Sequence, residues 1–173
     1  LITATTIKAV ANVTGTASSI SASPDGSTFV NLKIAGNLIS ANVAANTVIN
    51  LPGLGKVTLK RVGRTGNFTS LGRIVVQMLT VDISQSNSFG LPVGAQISVA
   101  YATSTFTRTQ PKATVAGQAY ATQANAKVGS SLQNRIGRAA LVTLGCEGSN
   151  GATLSNNVSS LNIGSLLILD LSA

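Results

Sequence analysis

The chain contains no histidine and a single cysteine. Without histidine there is no Ser-His-Asp or Cys-His relay, and the commonest metal-ligating side chain is missing. One cysteine excludes an intrachain disulfide, and with no histidine beside it a zinc site of the usual four-ligand kind is excluded as well. Acids are scarce too: Asp25, Asp82, Glu147 and Asp170 are the full set. Glycoside hydrolysis needs two carboxylates about 5–10 Å apart. Asp82 with Asp170 is the one pair to consider, and each reads better as the end of a strand. No cluster of acids and Asn is dense enough for calcium. Gly53-Leu54-Gly55-Lys56 lacks the spacing, the following hydroxyl and the helix of a phosphate loop, and reads as a tight turn. The expectation is a protein without catalytic residues, metal, cofactor or small-molecule substrate, and not an enzyme.

Charge is thin as well. Only 9% of residues are charged, against about 25% in an ordinary soluble domain. The formal net charge of +8 comes from the shortage of acids, since the twelve Lys and Arg are spread from Lys8 to Arg138. Their one concentration is Lys56, Lys60, Arg61, Arg64 and Arg73. It reads as a solvated strand-and-turn face or as a patch for acidic surface polymers or glycans. Its one aromatic neighbour is Phe68, so base stacking is poorly supported and nucleic acid is not expected as a partner. No apolar run reaches the roughly 18 residues of a membrane helix. The opening Leu1-Ile2-Thr3 lacks the basic and apolar regions of a signal peptide, so a processed product is expected.

What is present points to sheet. Apolar residues make up 44% and aromatics 3%, so the core must be Val, Ile, Leu and Ala, and β-branched side chains suit a pleated surface. Alternation of apolar and polar residues marks Ile7 to Val13, Val30 to Ile34, Lys56 to Lys60 and Gln96 to Thr107. Arg73 to Ile83 is apolar on both faces and reads as a central strand; Leu161 to Leu171 is also strongly apolar. The Ala-rich stretch from Ala113 to Gly129 reads as strand rather than helix, because Val115, Gly117, Ala119 and Ala121 alternate with Gln118, Tyr120 and Thr122. Turns fall at Pro24-Asp25-Gly26, Leu51-Pro52-Gly53, Gly63 to Asn67, Pro92-Val93-Gly94 and Gly148 to Gly151. The predicted fold is an all-β antiparallel β-sandwich, jelly-roll or Ig-like, in one domain over 1–173. A weak subdivision is allowed near 109–112, where Pro111 stands.

Three sequons, at Asn12, Asn67 and Asn157, are candidate glycosylation sites, although an Asn/Thr/Ser-rich chain makes such matches by chance. Cys146 reads as a small residue at a strand end; a disulfide to another chain is the alternative. The terminal runs carry almost no charge to guard them as edge strands. Ile2, Ile7, Ala9, Ala11 and Val13 at one end, and Leu161, Ile163, Leu166 and Ile168 at the other, are the candidate assembly strands. One of them is expected to complete the sandwich of a neighbouring subunit, giving a homopolymer in the form of an extracellular filament. A monomeric surface adhesin for acidic glycans and a viral coat protein are the alternatives.

Ordered motifs carry a family likeness. They are Leu1-Ile-Thr-Ala-Thr-Thr-Ile-Lys-Ala9, Ser27-Thr-Phe-Val-Asn-Leu-Lys-Ile-Ala-Gly36 and Asn46-Thr-Val-Ile-Asn-Leu-Pro-Gly-Leu-Gly-Lys-Val-Thr-Leu59. Phe89-Gly-Leu-Pro-Val-Gly94, Ile97-Ser-Val-Ala100 and Leu144-Gly-Cys-Glu-Gly-Ser-Asn-Gly151 follow. Together they resemble the choice-of-anchor P family of bacterial secreted surface proteins over most of the chain. The resemblance implies export, a place at the cell surface and no catalytic residues. It also implies that a membrane would be met only through an anchor that this chain does not contain.

Overall fold

A computed structural model of the chain describes residues 1–16, 18–108, 113–128, 132–148, 160–163 and 167–170. Within them the strands are β1 (Ile2–Ala4), β2 (Thr6–Lys8), β3 (Asn12–Gly15), β4 (Ile20–Ser23), β5 (Thr28–Val30), β6 (Lys33–Ile34), β7 (Asn37–Leu38) and β8 (Thr47–Leu51). There follow β9 (Gly55–Thr65), β10 (Leu71–Ile83), β11 (Gln96–Arg108), β12 (Ala113–Val128), β13 (Leu132–Ala139), β14 (Val142–Leu144), β15 (Ser160–Ile163) and β16 (Leu167–Asp170). No helix occurs among the described residues. The protein is all-β and sandwich-like, as its composition predicts.

The large sheet is an antiparallel meander in the order β13-β12-β11-β10-β9-β8, with β14 continuing the line of β13 along β12. Its turns are those the glycines and prolines announce. Leu54 N donates to Leu51 O across Pro52-Gly53, with Gly53 at φ 74°. Ala95 N donates to Pro92 O, with Gly94 at φ 89°. Gly55, the first residue of β9, has φ 148°, and a Cβ there would run into the carbonyl oxygen of Asp82. No L side chain fits that position.

β10 lies at the centre, as expected, but its long apolar run has another cause than burial on both faces. Gly72, Ile74, Val76 and Met78 are buried, and so are Leu79, Val81 and Ile83. The inward set changes from even to odd numbers between Met78 and Leu79. The neighbours change at the same line: Leu59 pairs with Leu79 and Arg61 with Gln77, while Val99 pairs with Leu79 and Tyr101 with Gln77. Lys60 (φ 49°) and Ala100 (φ 52°) stand at the step on β9 and β11. The line runs on through Asn46 (φ 61°), whose N–H donates to Lys60 O, and through Ala121 to Ala140 (φ 52°), where β13 gives way to β14. The result is a seam across the whole sheet. Each of β9 to β12 has one extra residue there, as in a β-bulge, but because all four share it their mutual register is the same on either side.

The second sheet, β15-β16-β1-β6-β7, is smaller. Its Ile2, Ala4 and Ile34 enter one buried cluster with Leu51, Val57, Leu59, Ile74, Leu79, Val81, Ile97 and Val99 of the large sheet. β2 pairs with β5, and the β3–β4 hairpin packs over the far end of the large sheet. There Gly15 meets the Phe106 ring, and Arg108 donates to Thr69 O, Thr16 O and Ser19 O.

Two alternating runs are broken. Asn31, at φ 53°, separates β5 from β6, so Phe29 rather than Val30 faces inward; Phe29 is 2% exposed and Val30 41%. Ala9 to Ala11 leave the sheet between β2 and β3, and there Val10 N donates to Ser27 Oγ instead. The segment 109–112 lies outside the described residues. On either side of it Arg108 pairs with Ala113, so β11 and β12 are neighbours in one sheet.

Candidate functional site

The chain's two ends meet. β1 pairs in parallel with β16 through Ile2↔Leu167, Thr3↔Ile168 and Ala4↔Leu169. On its other side β1 pairs antiparallel with β6. Leu161 and Ile163 lie in β15, opposite Leu169 and Leu167 of β16. Of the candidate assembly residues, Ile2 and Ile7 are buried, while Ala9, Ala11 and Val13 pack half-buried on the core. Leu166 lies outside the described residues. Within one chain the terminal strands are therefore paired, and the hairpin of β15 and β16 hydrogen-bonds to the body through β1 as its strand partner. Exposed apolar side chains stand at two other sheet margins: Leu38 on β7 is 68% exposed and Val48 on β8 is 54%. β8 has no charged residue, so this edge lacks the usual guard.

The basic cluster separates in space. Lys56 stands across from Asp82, whose Oδ1 accepts from Gln96 Nε2 at 2.7 Å. Lys60 occupies the seam. Arg64 pairs with Ile74 on the packed side of the sheet and donates through Nε to Ala22 O of the β3–β4 hairpin. Arg61 and Arg73 face the other way, on the outer face, and both are exposed.

On that outer face the strand register assembles side chains that sequence reading left scattered. Arg61, Gln77, Tyr101 and Tyr120 stand in one row across β9 to β12. The two tyrosine rings stack 4.5 Å apart with planes 6° from parallel. The Arg138 guanidinium lies 5.0 Å from the Tyr120 ring centroid, a cation–π distance. Its Nε donates to Gln123 Oε1 and its Nη1 to Gln118 Oε1, both at 2.9 Å, so it spans the seam. Arg73 Nε reaches Thr103 Oγ1 on the same face at 3.5 Å. One signal was available: these are the only two tyrosines, and a hairpin centred on 109–112 places them opposite one another. Reading Pro111 as a boundary hid it.

Beyond the seam the same face shows Thr80 fully buried and Ser98 2% exposed. Thr80 Oγ1 has no hydrogen-bond partner among the described residues.

The sequon asparagines have local roles. Asn12 Nδ2 donates to Asp25 O at 3.0 Å. Asn67 Oδ1 accepts from the N–H groups of Thr69, Ser70 and Leu71, capping the turn into β10. Asn157 lies outside the described residues. Cys146 is exposed and free. Asp82 and Asp170 belong to different sheets. No group of three metal-ligating side chains occurs among the described residues, and no helix among them is long and apolar enough to cross a membrane.

No protein-family model, no curated protein and no solved structure matches the chain.

Proposed function

We propose that this protein is an extracellular structural subunit that assembles with copies of itself by β-strand addition, in keeping with its likeness to secreted surface proteins. Its role is mechanical, not catalytic. The observation that carries the reading is the parallel pairing of β1 with β16. The β15–β16 hairpin is a separable piece. If the hairpin of one copy docks on β1 of the next, the same strand pairing forms between chains as within one. Exchange then costs little beyond the entropy of association and gains from high local concentration. Head-to-tail exchange whose rotation does not close into a ring propagates as a filament, the form this reading takes. The low charge density favours close packing of subunits, because few ions must be stripped of water.

A cross-linking experiment tests it. Thr3→Cys with Ile168→Cys, in a Cys146→Ser background, places thiols at registered positions of β1 and β16. Oxidation of concentrated protein is expected to give a ladder of covalent oligomers on a non-reducing gel, and filaments in negative stain. Cross-linked monomer alone, at every concentration, overturns the reading.

A further inference from the structure

We propose that the outer face of the large sheet, beside the seam, is a binding site for an acidic polysaccharide of the polyuronate type. The site does not depend on assembly, since it lies on the other sheet from the exchanging strands.

Three arginines share this face. Arg61 and Arg73 are exposed on β9 and β10, and half-buried Arg138 on β13 leans over Tyr120. Strands lie about 4.8 Å apart, so Arg61 and Arg138, four strands apart, span roughly 19 Å. An extended anionic chain can follow such a row and meet cations along it. The described acid on this face, Asp82, stands across from Lys56 and accepts from Gln96, two strand rows beyond the tyrosines. The field at the arginines is therefore positive.

The chemistry of the row favours sugar over nucleobase. Tyr101 and Tyr120 stack on each other, the Arg138 guanidinium lies over the Tyr120 ring, and Tyr120 is buried. Little of that ring is left for stacking, whereas single-stranded nucleic acid binds by laying bases on open ring faces. Around them stand the half-buried Gln77 and Gln118, whose amides match the hydroxyls of a saccharide. Arginine forks match carboxylates in a bidentate way that lysine does not. Two glutamines hold the Arg138 plane, so little freedom is left to lose when a carboxylate docks.

The test is titration of the full chain with polygalacturonate, with neutral dextran and with single-stranded DNA as comparison polymers. Polygalacturonate is expected to bind, and to release as ionic strength rises. Arg61→Gln, Arg73→Gln and Arg138→Gln are each expected to weaken binding about tenfold, the scale of one charge-assisted contact. Lys8→Gln removes an equal charge from an exposed site on β2 and is expected to leave affinity within about twofold. Arg61 and Arg73 are exposed, so their variants decide the matter even if Arg138→Gln fails to fold. The proposal is overturned by absence of binding, by a Lys8→Gln loss as large as that of Arg61→Gln, or by tighter binding of the DNA.

Discussion

The two halves of the large sheet share β9 to β12, which keep one mutual register across the seam, and yet are built differently. On the near side of the seam the inward residues are Val57, Leu59, Leu79, Val81, Ile97 and Val99, all buried against the second sheet. On the far side Ile74, Val76 and Ala102 beside the seam are buried as well, but beyond them the inward residues are Val62, Arg64, Gly72, Ser104 and Phe106 under the short β3–β4 hairpin, where Val62 and Phe106 are half-buried and Arg64 is exposed. The core fills the near half and reaches just past the seam through Ile74 and Val76. Beyond them the far half keeps its hydrogen bonds with much less apolar burial, and it carries the arginine–tyrosine face. Hydrogen bonds define a sheet, but the layer that covers it decides where stability resides.

The largest expected effect breaks this contrast at its strong end. Leu79→Ala removes a fully buried side chain and is expected to lower stability by about 3 kcal/mol in urea unfolding, whereas Val62→Ala on the far half should cost less than about 1 kcal/mol. Equal losses would show that the far half is as well packed as the near one. A smaller change sharpens the picture of the outer face. Thr80→Val replaces a buried hydroxyl that has no partner among the described residues by a methyl group and is expected to stabilise by about 1 kcal/mol; a destabilised variant would mean the hydroxyl does find a partner. The smallest tests the seam itself. Ala100→Gly relieves a left-handed residue at φ 52° and, after the entropy that glycine adds to the unfolded chain, is expected to gain about 0.5 kcal/mol. A loss would show that the seam is unstrained.

Much of this was legible in the sequence. The alternation of Ile97, Val99 and Tyr101 and the apolar run around Met78 located β11 and β10, and Pro52-Gly53 and Pro92 to Gly94 located their turns, because these are local choices of backbone and side chain. The seam was not legible. Met78-Leu79 and Val99-Ala100 are ordinary apolar neighbours, and a left-handed lysine or alanine has no signature of its own; the phase change is imposed by the neighbouring strands. The same holds for Asn31, whose turn moved Val30 outward. Of the basic residues grouped by sequence, Arg61 and Arg73 do share a face, while Arg64 reaches the β3–β4 hairpin on the opposite face and Lys56 stands across from Asp82. Arg138 joins them only through the pairing of β12 with β13, which spans fifteen positions from Gln123.

The seam also constrains how such a chain can vary. A one-residue deletion in β9, β10, β11 or β12 alone would turn every side chain beyond it to the wrong side and misalign that strand with both neighbours. Removing the crease without that penalty would take the loss of one residue from every strand together. The lengths of these strands are thus tied to one another, and loops between them, not the strands, are where insertions can be accommodated during divergence.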